Sequence, residues 1–332
     1  MLMHVFKALG KSFDYLVGAG IEGFDRMVSL TEAPYIIIEG DEYLSSCLDS
    51  RPKFLHYNPQ IAIITGIAWD HYNVFPTLEL YHKSFDDFIL SMKEGSTLFY
   101  FEEDEALTNL VNDHGKHLNA YSYGAAPHVW QNGHSYIRDG ELLFATSVFG
   151  SHNFQNMQAV ISVCTQLGFP RQEVVEALSS FKGSRKRMEL LAEGNGKAAY
   201  LDFAHSPSKV RATLNAFREK YPEKKILTII ELHTYSSLNL DFLPQYAGSL
   251  KDTDHAIVYY DSQALAIKNM NPLSEPDIKN SFKREDIDVI SHINELEDKI
   301  LRLRQGTDIL IFMGSGNFGD LNLRKVAANW IE

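Results

Sequence analysis

Two runs of apolar residues without polar alternation mark the first quarter of the chain, at 35–38 and at 61–69. Isoleucine-rich runs of this kind are typical of strands that are buried on both faces, as in parallel sheets. The first run leads directly into the acidic segment Glu39–Glu42, and the second leads into Asp70 and His71. The pattern therefore predicts two buried strands whose ends carry acidic and imidazole side chains.

The rest of the pattern alternates between helical and strand-like segments. In the first half of the chain, helices are expected at 2–9, 78–92, 105–114, 150–167 and 171–180. Strands are expected at 97–101 and, as short segments, between 117 and 148. In the second half, the expected strands are 198–202, 226–231, 255–260 and 308–313. The expected helices there are 207–220, 242–251, 275–282 and 292–304. Strands that alternate with helices predict an α/β protein with parallel sheets, and a domain boundary is placed near 182–187.

Composition narrows the classes of protein to which the chain can belong. The 332 residues include 45% apolar and 22% charged residues, and the formal net charge is -12, which argues against a nucleic-acid partner or an anionic membrane surface. The two cysteines, Cys47 and Cys164, form no metal-binding or disulfide pattern. Without an apolar stretch of about 20 residues or a charged leader, the chain is predicted to be cytoplasmic.

The polar clusters after the first two strands predict a shared ligand. In open parallel sheets, ligands bind just beyond the carboxyl ends of the strands. Glu39, Asp41 and Glu42 after one strand, and Asp70 and His71 after the next, are therefore predicted to share a metal ion or a phosphate. Mg²⁺ prefers carboxylate oxygens, and histidine is an unusual ligand for it. An exposed acidic turn and a structural histidine are the alternatives.

Two later segments carry side chains suited to ligand binding. Asn153 and Asn156 lie three positions apart at a helix start and share one face, where their amides could contact the edge of a base; helix capping is the alternative. Asp202 and His205 lie where a strand ends and a helix begins, which is again a place where ligands bind. Arg187 precedes that strand, where an arginine is usually a surface residue.

Two glycine motifs look like phosphate-binding loops but lack the required context. Gly10-Lys11-Ser12 has no preceding strand and lacks the first glycine of the pattern, so Lys11 is predicted to be a surface residue. Residues 314–319 read G-x-G-x-x-G after a predicted strand, but a dinucleotide site needs a second strand with an acidic residue about 20 positions later. These glycines are predicted to permit a tight turn between strand and helix at a ligand-facing edge.

Taken in order, several segments resemble the Mur ligase family of ATP-dependent amide-bond ligases. They are 38–43, 54–59, 66–71 with 74–75, 150–156, 181–189, 202–207 and 231–234. The resemblance covers nearly the whole chain and is closest to the murein peptide ligases. It implies a central parallel-sheet domain like that of P-loop NTPases at 1–183, truncated at its N-terminus, and a C-terminal Rossmann-like α/β domain at 184–332.

The resemblance also implies a reaction. The expected substrates are UDP-N-acetylmuramate and the tripeptide L-alanyl-γ-D-glutamyl-meso-diaminopimelate, with ATP and Mg²⁺ as cofactors. The muramate carboxylate would take the γ-phosphate of ATP, and the amine of the tripeptide would then attack the acyl phosphate. Glu39 and His71 are expected to bind Mg²⁺, and Asn153 and Asn156 are expected to contact the adenine. Positioning and charge neutralisation would supply most of the catalysis.

In the C-terminal half, the resemblance assigns Arg187 and Asp202 to contacts with the nucleotide and His205 to the phosphates or the substrate. Arg187 and His205 are thus the expected catalytic residues. The chain departs from its relatives at Ser206, where many of them have a second histidine, and at Phe85, near the place where some of them carry a carbamylated lysine.

The largest departure is at the front of the chain. Relatives carry an N-terminal domain and a glycine-rich phosphate-binding loop for which these 332 residues offer no counterpart. We therefore expect this chain alone to be inactive or nearly so, because that loop grips the β- and γ-phosphates of ATP. A non-catalytic module that binds the tripeptide or a nucleotide, and a ligase like folylpolyglutamate synthase, are the alternatives.

Overall fold

The computed structural model describes every residue of the chain except 19, 22, 132 and 269. The chain divides into two compact units, Met1–Lys182 and Gly183–Glu332. Each unit combines helices with parallel strands, which confirms the predicted α/β class. In the described part of the chain, no helix is long and apolar enough to cross a membrane.

The first unit contains three separate three-stranded sheets, in the orders β2-β1-β3, β4-β5-β6 and β7-β8-β9. Pairing is parallel between β1 and β3 and throughout the second sheet, and it is antiparallel in the third. The strands are β1 (Asp14–Leu16), β2 (Val28–Ser29), β3 (Ile36–Ile38), β4 (Ile61–Ile64), β5 (Thr97–Phe101), β6 (Asn119–Tyr123), β7 (His128–Gln131), β8 (His134–Asp139) and β9 (Leu142–Thr146).

The two isoleucine-rich runs form strands, but neither strand is buried on both faces as predicted. Both β3 and β4 lie at the edges of their sheets, and Ile36 is 50% exposed. In β4, half-buried and buried residues alternate. This strand ends at Ile64 rather than near Ala68, because the backbone leaves the sheet and the Ile67 N–H donates to the Asp104 carboxylate at 2.7 Å.

The helices of the first unit agree with their predicted positions to within two residues at each end. They are α1 (Leu2–Ala8), α2 (Leu78–Ser91), α3 (Glu105–His114), α4 (Ser151–Gln166) and α5 (Arg171–Ser179). Side chains cap two of them: Thr77 accepts from the Leu80 N–H before α2, and Asp104 accepts from the Leu107 N–H before α3.

Two apolar clusters form most of the core of the first unit. In one, Phe6 of α1 packs with Phe154 of α4 and Val174 of α5. In the other, Phe85 of α2 packs with Leu98 of β5. Burial of side chains of this size is the main source of stability, at roughly 25 cal/mol per Å² of apolar surface. These clusters hold the strands that carry the polar residues discussed below.

The second unit has one six-stranded sheet in the order β10-β11-β15-β12-β13-β14. Only the pairing of β10 with β11 is antiparallel. The strands are β10 (Glu189–Gly194), β11 (Lys197–Asp202), β12 (Ile226–Leu232), β13 (His255–Tyr260), β14 (Asp288–Ile290) and β15 (Ile309–Met313). The helices are α6 (Pro207–Lys220), α7 (Ser262–Ile267), α8 (Glu275–Phe282), α9 (Ile293–Arg302) and α10 (Leu323–Ile331).

One predicted helix of the second unit is wrong. Only a short 3₁₀ turn, Leu243–Tyr246, forms within 242–251. Pro244 suits the start of such a turn, and Gly248 adopts a positive φ of 70° that a continuing helix would not allow. The pattern also missed β1, β2, β10, β14, α7 and α10.

Candidate functional site

The segments that follow β3 and β4 meet at a contact between Glu42 and His71 in the first unit. His71 Nε2 lies 3.1 Å from Glu42 Oε1, and the Tyr81 hydroxyl donates to the same carboxylate oxygen at 3.2 Å. The ring of Tyr43 meets the His71 ring edge-on at 4.6 Å. His71 has a positive φ of 55°, which is uncommon for a residue other than glycine and is worth about 1 kcal/mol or more of strain. The imidazole is therefore held in one orientation.

Burial works to raise the pKa of Glu42, but the interactions with His71, a backbone hydrogen bond and the Tyr81 hydroxyl together outweigh it, and the pKa is lowered. The acidic cluster had suggested a role for Glu42, but sequence reasoning had chosen Glu39 as the partner of His71. The structure shows the pairing of Glu42 with His71.

Glu39 lies immediately after β3 and is exposed. Its Oε2 accepts from the Gly18 N–H at 2.6 Å, and a Cβ on Gly18 would lie only 3.3 Å from that oxygen. The close approach of this glycine fixes the carboxylate beside the end of β1. The assignment of Glu39 and His71 to a metal site stays a prediction.

The other two acids of these strand ends are engaged within the unit. Asp41 forms an ion pair with Lys53 at 2.6 Å and accepts from the Tyr43 N–H. Asp70 is 6% exposed and accepts from the His71 N–H at 2.8 Å. Both aspartates shape the turns that present the neighbouring side chains.

The donors at this edge fit Mg²⁺ that arrives with phosphates. Among the described residues there is no group of three His, Cys, Asp or Glu side chains that could hold a metal ion alone. Mg²⁺ commonly takes one or two protein carboxylates and completes its octahedron with phosphate and water oxygens. The exposed carboxylate of Glu39 suits that coordination, and it would not suffice for an all-protein site.

Asn153 and Asn156 lie in the first turns of α4, as predicted. The capping alternative is wrong, because the N-cap residue is Gly150 and no side chain caps this helix. Asn153 Nδ2 donates to the Phe149 carbonyl at 2.8 Å, and both asparagines are half-buried. They border the buried Phe154, whose ring stacks on that of His128 at 3.9 Å. Their contact with an adenine stays a prediction.

In the second unit, Asp202 ends β11 and is 3% exposed. Its Oδ1 accepts from the Ala204 N–H at 2.8 Å and from the Thr213 hydroxyl at 3.1 Å. Its Oδ2 accepts from the Met188 N–H at 2.8 Å. The carboxylate therefore ties the strand end to α6 and to the segment before β10, and any contact with a nucleotide would be additional to these bonds.

Arg187 and His205 both pack against Phe203. The guanidinium of Arg187 lies 5.2 Å from the centre of the Phe203 ring, at cation–π distance. His205 donates from Nδ1 to the Phe203 carbonyl at 2.8 Å, which leaves Nε2 as its acceptor in the neutral form. Next to it, Ser206 is 2% exposed, and its buried hydroxyl has no partner in the described part of the chain. The roles proposed for Arg187 and His205 stay predictions.

Glu231 is a functional candidate for which sequence reasoning found no role. It lies near the carboxyl end of β12 with 2% exposure, and its Oε1 accepts from the Phe318 N–H at 2.9 Å. Burial raises its pKa to about 7, although the N–H groups of Phe318 and Gly316 oppose the shift. A carboxyl that titrates near neutrality at a ligand-facing edge is typical of functional sites.

The glycine motif of residues 314–319 forms the predicted tight turn. It follows β15 and passes through a 3₁₀ turn, Phe318–Asp320, before α10. By contrast, Gly10 ends α1 with a φ of 62°, and the exposed Lys11 stacks on Phe169, in agreement with its predicted surface position.

Two models of known protein domain families match this chain. The Mur ligase middle domain matches residues 24–164, and the Mur ligase glutamate ligase domain matches residues 186–316.

Curated relatives carry the names of two related enzymes. A UDP-N-acetylmuramate–L-alanine ligase from Streptococcus gordonii is 30% identical over 313 residues, which are 83% of this chain and 66% of the relative. A UDP-N-acetylmuramate–L-alanyl-gamma-D-glutamyl-meso-2,6-diaminoheptandioate ligase from Haemophilus influenzae is 26% identical over 349 residues, covering 97% of this chain and 71% of the relative. The chain thus spans about two thirds of the length of these relatives.

The same fold occurs in a solved structure. A murein peptide ligase from Psychrobacter arcticus 273-4 superposes with a TM-score of 0.67 and 19% sequence identity, covering 100% of this chain and 74% of that one. At this level of identity, the likeness shows the fold alone.

Proposed function

Because the chain belongs to the Mur ligase family of ATP-dependent acid–amino-acid ligases, we propose that it forms part of a ligase of peptidoglycan recycling. Its substrates are UDP-N-acetylmuramate and the tripeptide L-alanyl-γ-D-glutamyl-meso-diaminopimelate. ATP activates the muramate carboxylate as an acyl phosphate, and the amine of the tripeptide displaces the phosphate. A cytoplasmic location, predicted from the composition, belongs to the same proposal.

The contact between His71 and Glu42 is the observation that supports this proposal most directly. The segments after two neighbouring strands in the sequence bring a carboxylate and an imidazole to one place, at 3.1 Å, and the exposed Glu39 carboxylate lies three residues before Glu42. Such an edge suits a cation bound to phosphates. Mg²⁺ held there would neutralise charge on the transferred phosphoryl group.

The residues of the chain have separate tasks in this proposal. Glu39 would hold the cation, and Glu42 with Tyr43 fixes the orientation of the His71 ring. The asparagines of α4, Asn153 and Asn156, hold the adenine. Because Glu39, His71 and Asn153 are held by hydrogen bonds before substrates arrive, they need little reorganisation during the reaction.

In the second unit, Arg187, Asp202 and His205 serve the nucleotide and the reacting groups. The buried hydroxyl of Ser206 at the start of α6, which has no hydrogen-bond partner among the described residues, supports this assignment. Buried polar groups are nearly always satisfied in native proteins, so an orphan at a strand end indicates a missing ligand or water.

L-Alanine in place of the tripeptide is the second candidate for the amine substrate. It is favoured by the relative from Streptococcus gordonii, which is named an L-alanine ligase and has the higher identity of the two relatives, 30% against 26%. The support for the tripeptide is the relative from Haemophilus influenzae and the resemblance of the segments quoted above.

A binding experiment separates these candidates on the chain as it exists. We expect isothermal titration calorimetry to show binding of ADP with Mg²⁺, and binding of the tripeptide but not of L-alanine. Asn156→Ala should weaken ADP binding about tenfold, because it removes the hydrogen bonds of one amide. Gln166→Ala, an exposed change at the far end of the same helix, should leave it unchanged.

The outcomes are distinct. Binding of L-alanine alone would replace the tripeptide as the substrate, and binding of neither ADP nor an amine would leave only a non-catalytic remnant. Incorporation of glutamate into folate would favour the folylpolyglutamate synthase-like reaction. In a phosphate-release assay with ATP, UDP-N-acetylmuramate and tripeptide, we expect turnover near the blank, and robust turnover would contradict the predicted inactivity of this chain alone.

A further inference from the structure

We infer that Glu231 is a proton-controlled latch for residues 314–320 of the second unit, hereafter the glycine turn. In its neutral form the carboxyl group keeps the glycine turn folded onto Glu231. Loss of its proton favours opening of the turn. The consequence for ligand binding rests on the proposed function, but the latch itself does not.

The glycine turn is folded tightly onto Glu231. The Phe318 N–H donates to Glu231 Oε1 at 2.9 Å. A Cβ on Gly314 would lie 2.9 Å from the Glu231 Cβ, and a Cβ on Gly316 would lie 2.4 Å from its Oε2. Real Cβ atoms do not approach so closely, so the closed turn requires glycine at both positions.

The turn closes through uncommon backbone conformations. Phe318, Gly319 and Asp320 have φ values of 53°, 63° and 62°. For the two residues other than glycine, this left-handed conformation costs about 1 kcal/mol or more each. A Cβ on Gly319 would also lie 2.6 Å from the hydroxyl of Tyr259. The closed turn therefore depends on its contacts with β12 and β13 to offset this strain.

The carboxyl group under the turn is poorly suited to carry a charge. Its Oε2 is buried and has no hydrogen-bond partner among the described residues. His233 Nδ1 is 4.0 Å from Oε1, and burial lowers the pKa of that imidazole. Lys186 favours the charged form of Glu231 and Asp261 opposes it, but burial is the largest influence. Tyr259, whose pKa is raised by burial to about 12, stays neutral.

The sign of the effect follows from proton linkage. Burial raises the pKa of Glu231 from 4.5 to about 7 in the closed state. In an open turn the carboxyl group meets water, and its pKa falls toward the ordinary value. The state with the higher pKa is favoured by protons, so the closed turn is most stable below about pH 4.5 and becomes progressively less stable as the pH rises from there to about 7.

The turn borders the site proposed for the nucleotide. The Gly314 N–H donates to the Asp202 carbonyl at 3.1 Å, next to the buried carboxylate of that residue. Opening would expose the Glu231 carboxylate at the carboxyl edge of the sheet and would release the chain that follows Gly314. Glu231 is thus a positioning residue for this edge, and it touches no reacting atom.

Hydrogen exchange on the full chain tests the latch. The amides of Gly316 and Phe318 are compared at pH 6 and pH 8 in the wild type and in Glu231→Gln, which stays neutral at both. Relative to the Gln variant, exchange in the wild type should rise by about tenfold between these pH values, the factor expected for pKa values of about 7 closed and 4.5 open. Glu219→Gln, an exposed carboxylate on α6, should behave like the wild type.

A second variant opens the turn without touching the carboxyl group. Gly316→Ala places a methyl group on Oε2, so its turn amides should exchange fast at both pH values, whereas Gly194→Ala, whose Cβ would lie at an ordinary 3.4 Å from Ile331, should not change them. Equal pH dependence in the wild type and in Glu231→Gln would overturn the latch. Absence of ADP binding in the same samples would instead count against the proposed ligase.

Discussion

At the end of β11, Asp202 places both carboxylate oxygens in hydrogen bonds within its own unit. It receives two backbone N–H groups, from Met188 and Ala204, and the hydroxyl of Thr213. A residue expected from the family resemblance to contact a nucleotide thus also has a structural task. Removing it would leave buried donors without acceptors, which costs more than the bonds themselves contribute.

We expect Asp202→Ala to lower the free energy of unfolding by about 2 to 4 kcal/mol, because up to three donors lose their acceptor. Urea denaturation at pH 7 measures the change. Thr213→Val is the matched control, since it removes one of the three hydrogen bonds and should cost about 1 kcal/mol. A loss below about 0.5 kcal/mol in Asp202→Ala would show that the carboxylate does not hold this strand end.

At the scale of the elements, helix α4 begins at a backbone conformation that only glycine adopts without strain. Gly150 has φ 85° and ψ 139° and is the N-cap residue, and its carbonyl accepts from the Asn153 N–H at 2.9 Å. The first turn of α4 carries Asn153, and Asn156 follows one turn later on the same face. A substitution that strains the backbone at Gly150 would therefore also displace the side chains that are proposed to contact the adenine.

Gly150→Ala should lower the free energy of unfolding by about 1 to 3 kcal/mol, the cost of forcing an alanine into this conformation. Gly40→Ala provides a comparison, because its φ is ordinary and an added Cβ would meet no atom within 4 Å; it should be neutral within about 0.5 kcal/mol. Thermal or urea unfolding followed by circular dichroism measures both, and equal losses in the two variants would refute the argument.

Long, strongly patterned elements were predictable from the sequence, as α3 and β5 show. Among the missed elements, β2 with two residues and β14 with three are too short to carry a local signal and form by tertiary pairing. At the candidate site, the polar strand ends were predictable from the order of strands. The partner of His71 and the latch on Glu231 were not, because both depend on which side chains meet across segments that are distant in sequence.

On the scale of the whole molecule, the net charge opposes association between copies of the chain, whereas the edges of the sheets favour it. The formal net charge of -12 keeps copies of the chain apart by repulsion at low ionic strength. At physiological ionic strength, salt screens the repulsion between exposed charges that are more than about 8 Å apart. In the described residues, β3 pairs only with β1 and β4 pairs only with β5, so each is an edge strand of its sheet.

We expect light scattering to show that the chain associates more strongly as salt is added. Ile36→Lys should reduce this association, because a charge on the exposed edge of β3 disfavours pairing with another strand. Leu48→Lys is the control: Leu48 is fully exposed but lies outside the strands. If both variants associate alike, the edge is not the cause.

The edges of β3 and β4 also couple ligand binding to self-association of the chain. A strand borrowed from a neighbouring molecule could complete either sheet, as in the growth of cross-β aggregates. Such an assembly would cover Glu39, which directly follows β3, and would remove ligand-competent molecules as protein concentration rises. Titrations of this chain should therefore give stoichiometries that fall as the sample is concentrated or aged.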